Sequence, residues 1–173
     1  MNNSKLPLTL ILVLSLAIAF ISCNQNSGPA YEKYLKMKDY SWDRFDQKFF
    51  EISTEDVGKN YDIAFVVRHT AQFVYDNLPV YIILTTPSGT EQIREITIPV
   101  RENGKMSADS TGNLHEIRTV LWNSISLAEK GKYKISIENM IPKIRTEGID
   151  EIGIVVTESK QHDCGIPSVV KPF

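Results

Sequence analysis

The sequence predicts an all-β protein: an antiparallel, jelly-roll-like β-sandwich of about seven to nine strands behind a short N-terminal extension. Three observations carry this expectation. From Trp42 onward, short runs rich in Val, Ile, Phe and Tyr are bounded by Gly, Pro, Asn and Asp, the composition of strands and turns. Period-two alternation recurs within those runs. Tyr61, Ile63, Phe65 and Val67 share one parity, and Tyr133, Ile135 and Ile137 interleave with Lys132, Lys134, Ser136 and Glu138, as on a half-buried strand. Finally, no long segment after Tyr40 repeats its apolar residues at helical spacing, so two sheets facing each other across one core remain.

In chain order, Lys5 precedes an apolar run from Leu6 to Ile21, followed by Ser22 and Cys23. A basic start, a short apolar core and a small residue at the cut make a secretory signal. The run is shorter than the roughly 20 residues a helix needs to cross a bilayer. The predicted organisation is residues 1–22 removed, 23–40 anchor and tether, 41–159 sandwich and 160–173 a C-terminal tail. Residues 24–30 are small, polar and rich in breakers, with too little apolar surface to offset the entropy of ordering them. Between Tyr31 and Tyr40 the apolar positions are too few to decide between a helical turn or two and no element.

Strands are predicted near 44–53, 61–68, 80–84, 91–100, 119–127, 131–138 and 152–157. Val80 to Leu84 is apolar throughout and predicts a strand covered on both faces. Thr86-Pro87-Ser88-Gly89 and Glu129-Lys130-Gly131 are too short for a helical crossover, which predicts two hairpins. Arg101 to Asn113 is the longest stretch without a strand signal, and a loop of that size is usually functional or mobile.

Of the 19 Lys and Arg only Lys5 lies in the signal, leaving 18 against 21 Asp and Glu and a formal charge of −3 on the 151-residue mature chain. That balance is too mild for a nucleic-acid partner. With Cys23 consumed at the N-terminus, Cys164 has no intrachain partner and reads as an unpaired thiol in the tail. His162-Asp163-Cys164 brings no second cluster that could complete a metal shell.

The chain holds no Gly-x-Ser-x-Gly elbow, His-Glu-x-x-His helix, phosphate loop or dinucleotide fingerprint. Its three histidines, His69, His115 and His162, are scattered. His69 reads as a strand-end residue held by hydrogen bonds, with Arg68 disfavouring a positive charge on it. Carboxylates gather near two strand ends, Glu51, Glu55 and Asp56 at one and Glu147, Asp150 and Glu151 at the other. A glycosidase pair is defined by spatial separation, and acidic residues in turns normally face water. No catalytic residue, metal ligand or cofactor is assigned. Trp42, Trp122, Tyr75 and Tyr81 could stack sugar rings, which keeps a carbohydrate-binding surface lipoprotein as the alternative. Burial as core filler is the commoner fate of such rings.

Two resemblances add to this reading. Phe20-Ile21-Ser22-Cys23 resembles the lipobox of bacterial lipoproteins, which implies acylation, with palmitate among the chains, at Cys23. The segment from Arg68-His69-Thr70 through Tyr75-Asp76-Asn77-Leu78 resembles the GldH family of gliding-motility lipoproteins. So does the block Gly131-Lys132-Tyr133, Met140, and Gly148-Ile149 through Gly153. The motif positions taken over are Arg68, Tyr75, Asn77, Leu78, Gly131, Tyr133, Met140, Gly148 and Gly153, all in structural roles. Arg68 is expected to tie a turn's carbonyls or a carboxylate, and Asp76 and Asn77 to launch the next strand. The chain departs from the family where a Gly-x-Trp-x-Gly loop is usual. It has Gly104-Lys105-Met106 and a later Gly112 there, and Met140-Ile141-Pro142 with a displaced Arg145 in place of Met-Arg. The resemblance implies a non-enzymatic, lipid-anchored component of the envelope machinery for gliding, with a possible link to secretion and with other envelope proteins as partners. Asn24-Gln25-Asn26-Ser27 lacks an acidic run, so the domain is expected to face the periplasm from the outer or inner membrane.

Overall fold

The computed structural model describes residues 28–55, 57–102, 105–106 and 109–159. Cys23, the signal and the tail with His162 and Cys164 lie outside them. Thirteen strands run β1 (Tyr31–Lys36), β2 (Ser41–Asp43), β3 (Lys48–Thr54), β4 (Asn60–His69), β5 (Asn77–Thr85), β6 (Glu91–Pro99), β7 (Arg101–Glu102), β8 (Lys105–Met106), β9 (Asp109–Thr111), β10 (Leu114–Ser126), β11 (Gly131–Asn139), β12 (Arg145–Glu147) and β13 (Ile149–Glu158). A single 3-10 turn, Lys38–Tyr40, is the only helical element among the described residues.

One sheet is ordered β1-β13-β4-β10-β9 and the other β3-β11-β5-β6, with β12-β2 and β7-β8 as small two-stranded ribbons. Every pairing is antiparallel. The eight long strands alternate between the sheets except at β5–β6, which is the jelly-roll winding. Their inner faces meet in one core that includes Phe50, Phe65, Ile82, Ile135 and Ile154, each 0 % exposed. β4 and β13 lie inside the larger sheet and are buried on both faces over much of their length.

The structure corrects four expectations and adds a bulge in β10. Tyr31 to Lys36 is a strand, so the domain starts about ten residues ahead of the predicted boundary at residue 41. Tyr31 and Leu35 pack on the core while Tyr34 lies over the outer face, and apolar residues three and four apart mimic helical spacing. Glu129-Lys130-Gly131 joins two sheets instead of closing a hairpin, with Leu127 buried at the crossing. Val80 to Leu84 alternates between core and half-buried positions, so only one face of β5 is fully covered. In β10, register shifts on both sides of Trp122 bury Leu121 and Trp122 together. A bulge of this kind breaks the parity that a strand reading assumes. The stretch from Arg101 to Asn113 carries β7, β8 and β9.

Candidate functional site

The segment from Arg68 to Leu78 sits at one end of the sandwich, where β4 leaves the larger sheet and β5 enters the smaller one. Neighbouring strand residues point to opposite faces, so Arg68 and His69 do different work. His69 faces inward, fully buried, with its ring stacked on His115 at 5.3 Å and tilted against Phe73 at 5.7 Å. Burial pushes its pKa below the usual histidine range, with smaller contributions from His115 and Arg101 and opposition from the Thr70 carbonyl. The ring is therefore neutral near pH 7. The cation expected to disfavour its charge is Arg101, since Arg68 lies on the other face of β4.

Arg101 also does the tying that the sequence suggested for Arg68. Its guanidinium donates to the Tyr75 carbonyl at 2.9 Å and to the Phe73 carbonyl. The Asp76 carbonyl accepts from the Val100 and Arg101 amides at 2.7 and 3.0 Å, which launches β5 at Asn77. Leu78 is buried, and Tyr75 meets Phe73 edge-on at 5.6 Å. Gly148 closes the corner from the other side. Its φ is +88°, and an added Cβ would lie 2.6 Å from Phe73 Cα and 2.7 Å from the Gln72 carbonyl carbon. Its carbonyl accepts from Thr70 N at 2.8 Å and its N–H donates to Tyr40 O at 2.7 Å.

Arg68 faces outward and meets the carboxylate half of its expectation. Its Nε donates to Glu116 at 2.8 Å and Nη1 to Glu151 at 2.7 Å, the residues beside it on β10 and β13. These two carboxylates raise the pKa of a guanidinium that is already always charged. The guanidinium carbon sits 4.3 Å over the Tyr34 ring. Tyr34 in turn lies on Gly153, where a Cβ would come within 2.6 Å of Tyr34 Cε1. At the far end, Gly131 (φ +130°) passes against Pro87. There the Glu129 carboxylate accepts from Ser88 N and Oγ while its own amide donates to the buried Tyr133 hydroxyl. Met140 is 36 % exposed, with its amide donating to Pro79 O at 3.0 Å. The motif residues thus make two turn corners and one ion-paired strand row.

The surface with the chemistry of a contact face is the outer side of the smaller sheet. Phe49, Ser136, Ile83 and Ile93 are register partners across all four strands, and Phe49 and Ile93 are 43 % and 54 % exposed. Glu51, Lys134 and Glu91 border this row on one side, and Glu138 and Glu95 on the other. Lys134 Nζ lies 4.1 Å over the Phe49 ring. Sequence reading missed the row because it joins one outward-facing residue from each of four strands, and only the register brings them together.

Of the aromatics named for sugar stacking, Trp42 and Trp122 are buried at 0 % and 3 % exposure. Tyr75 is part of the corner, and Tyr81 is half-buried on the outer face of β5. A shallow recess lined by Ser53, Thr54, Glu55, Lys130, Gly131 and Lys132 contains no aromatic ring. The carboxylates are spread: Glu51 pairs with Lys132 on one sheet, Glu151 with Arg68 on the other, and Asp150 is buried near Lys36 at 3.7 Å. Asp56 lies outside the described residues. Among the described residues no group of three metal-ligating side chains converges.

Comparison with known proteins gives a family match and weaker structural likenesses. The model of the GldH lipoprotein family matches residues 29–156. A gliding motility lipoprotein GldH homolog of Christiangramia forsetii is 24 % identical over 150 residues, covering 82 % of this chain and 90 % of the relative. Among solved structures, the chain is similar to a carbohydrate-binding module specific for non-crystalline cellulose, CBM28, at 10 % identity and a TM-score of 0.44 over 74 % of each chain. It is also similar to a CBM4 module at 15 % identity and a TM-score of 0.36, over 74 % of this chain and 71 % of the module. At these scores neither likeness bears on function.

Proposed function

The chain belongs to the GldH lipoprotein family, gliding-motility lipoproteins anchored in the cell envelope, and from that membership we propose that it is a non-enzymatic assembly or accessory component of the motility machinery. In this reading Cys23 carries the lipid, residues 24–30 form the tether, and the sandwich faces the periplasm, where it binds other envelope proteins. Two or more acyl chains give stable attachment where one is marginal.

The observation that carries the reading is the outward-facing row Phe49–Ser136–Ile83–Ile93, exposed at Phe49 and Ile93, with its charged border. Exposed apolar side chains bordered by charged residues have the anatomy of a protein–protein contact. The motif residues support the same conclusion, because their geometry is spent on turns and strand pairing. Ile93→Asp tests it: the side chain is half exposed, so the domain is expected to fold, and a charge is placed at the edge-strand end of the row. In a deletion strain complemented at equal protein level, the variant is expected to restore gliding and surface-protein export poorly. Full restoration by Ile93→Asp would remove this face from the account.

A further inference from the structure

Two loops, one between β2 and β3 and one between β11 and β12, meet at the end of the sandwich that also holds His69. The pairing of Asp43 with Arg145 continues into an Arg44 N–H bond to Ile144 O of 2.9 Å. Phe45 occupies a turn closed by Asp46 N donating to Asp43 O at 3.0 Å, and the buried Trp42 indole N–H donates to Asp46 O at 2.9 Å. Beneath the other loop, the fully buried Asn139 side chain donates to Trp42 O and Thr146 Oγ1 and accepts from Ile141 N. These bonds hold Phe45, 79 % exposed, and Ile144, 76 % exposed, on a rigid base. A large apolar side chain presented on a pre-ordered turn loses little entropy when it enters a pocket.

The charges around the pair have a definite sign. Asp43 is neutralised by Arg145 at 3.5 Å and Asp46 by Lys48 at 2.6 Å. Arg44 and Lys143 have no ion pair among the described residues. The knob is therefore cationic on a chain whose formal net charge is negative.

Its position is opposite the chain's entry into the fold. β1 begins at Tyr31, opposite Val156 and level with Ile63 near the start of β4, and runs toward Arg68. The knob lies beyond Asn139 and Lys48, at the other end of the strands. At about 3.3 Å per residue, β4 separates the two ends by roughly 30 Å. The described chain therefore begins at the end away from the knob.

We propose that Phe45 and Ile144, flanked by Arg44 and Lys143, dock into an apolar pocket framed by carboxylates on a partner protein. The direction in which the knob faces rests on the anchoring proposed above, whereas its chemistry does not. The test uses full-length protein in its own cells, with the photo-crosslinker p-benzoylphenylalanine at position 45 or 144 and, as a control, at the exposed Lys132 position near the opposite end. The expected result is one protein adduct from 45 and 144 and none from 132, with a carboxylate-rich crosslinked peptide. Its yield should drop roughly tenfold or more when Arg44→Glu and Lys143→Glu are added. Adducts to lipid, equal adducts from 132, or a yield indifferent to charge reversal would overturn the proposal. Phe45→Ser should keep the thermal midpoint because the ring is solvent-exposed, yet restore function poorly. If Phe45→Ser restores function fully while Cys23→Ala does not, the knob is refuted and the anchoring stands.

Discussion

Gly148→Ala probes the joint at which three segments meet. A residue with a side chain at φ +88° pays roughly 1–2 kcal/mol for the left-handed conformation alone. The new methyl would also lie 2.6 Å from Phe73 Cα and 2.7 Å from the Gln72 carbonyl carbon, and neither backbone atom can step aside as a side-chain tip can. Relief requires the loop to withdraw, which loosens the bonds from Thr70 N to Gly148 O and from Gly148 N to Tyr40 O. Each is worth roughly 0.5–1.5 kcal/mol net. The sum is roughly 2–5 kcal/mol, or about 8–20 °C in Tm for a domain of this size. Gly89→Ala is the control: its φ is +89° but nothing lies within 4 Å of the added Cβ, so only the conformational part, roughly 1–2 kcal/mol, applies. Urea unfolding of both variants with a common m-value separates the two contributions. Equal destabilisation by Gly148→Ala and Gly89→Ala would refute the close approach of Phe73 as the reason for glycine at 148.

Asn139→Leu would strand Trp42 O, the Thr146 hydroxyl and Ile141 N, all now satisfied by one buried amide. A loss of roughly 3 kcal/mol or more is expected in urea melts. Arg68→Ala removes two partly exposed ion pairs and the stack on Tyr34, and should cost roughly 1–2 kcal/mol, less at high salt. His69 makes stability pH-dependent. The unfolded chain protonates this imidazole near pH 6.5, while the buried ring resists protonation until a lower pH. Between those values the unfolded state binds more protons, so stability falls as pH drops below about 6.5 and levels off past the folded pKa. In His69→Gln that acid limb should be shallower, as read from thermal midpoints across pH 5 to 7.

The strands were legible wherever one face is core and the other is solvent. β11 is such a case, with Tyr133, Ile135 and Ile137 inward, and its sequence alternates accordingly. β1 was illegible because its edge position lets Tyr34 pack outward on Gly153 while Tyr31 and Leu35 pack inward, which erases the period. The bulge in β10 has no counterpart in the sequence period, and the β10–β11 connection has the length of a hairpin because a short turn can cross between sheets as readily as close one. The motif around Arg68 was visible as a string, but its division of labour was not. Arg68 binds carboxylates on the outer face, and Arg101, distant in sequence, ties the carbonyls. The exposed row on the smaller sheet and the Phe45–Ile144 knob depend on register and loop pairing, which sequence period does not encode.

The central claim, that this β-sandwich works as a membrane-anchored part of the gliding machinery, is tested most directly by gliding speed in a deletion strain complemented with wild-type protein or Cys23→Ala at equal protein level. The account predicts that the wild type restores gliding and that Cys23→Ala, which cannot take up labelled palmitate, does not. Gliding that is unchanged by the deletion, or fully restored by Cys23→Ala, would contradict it.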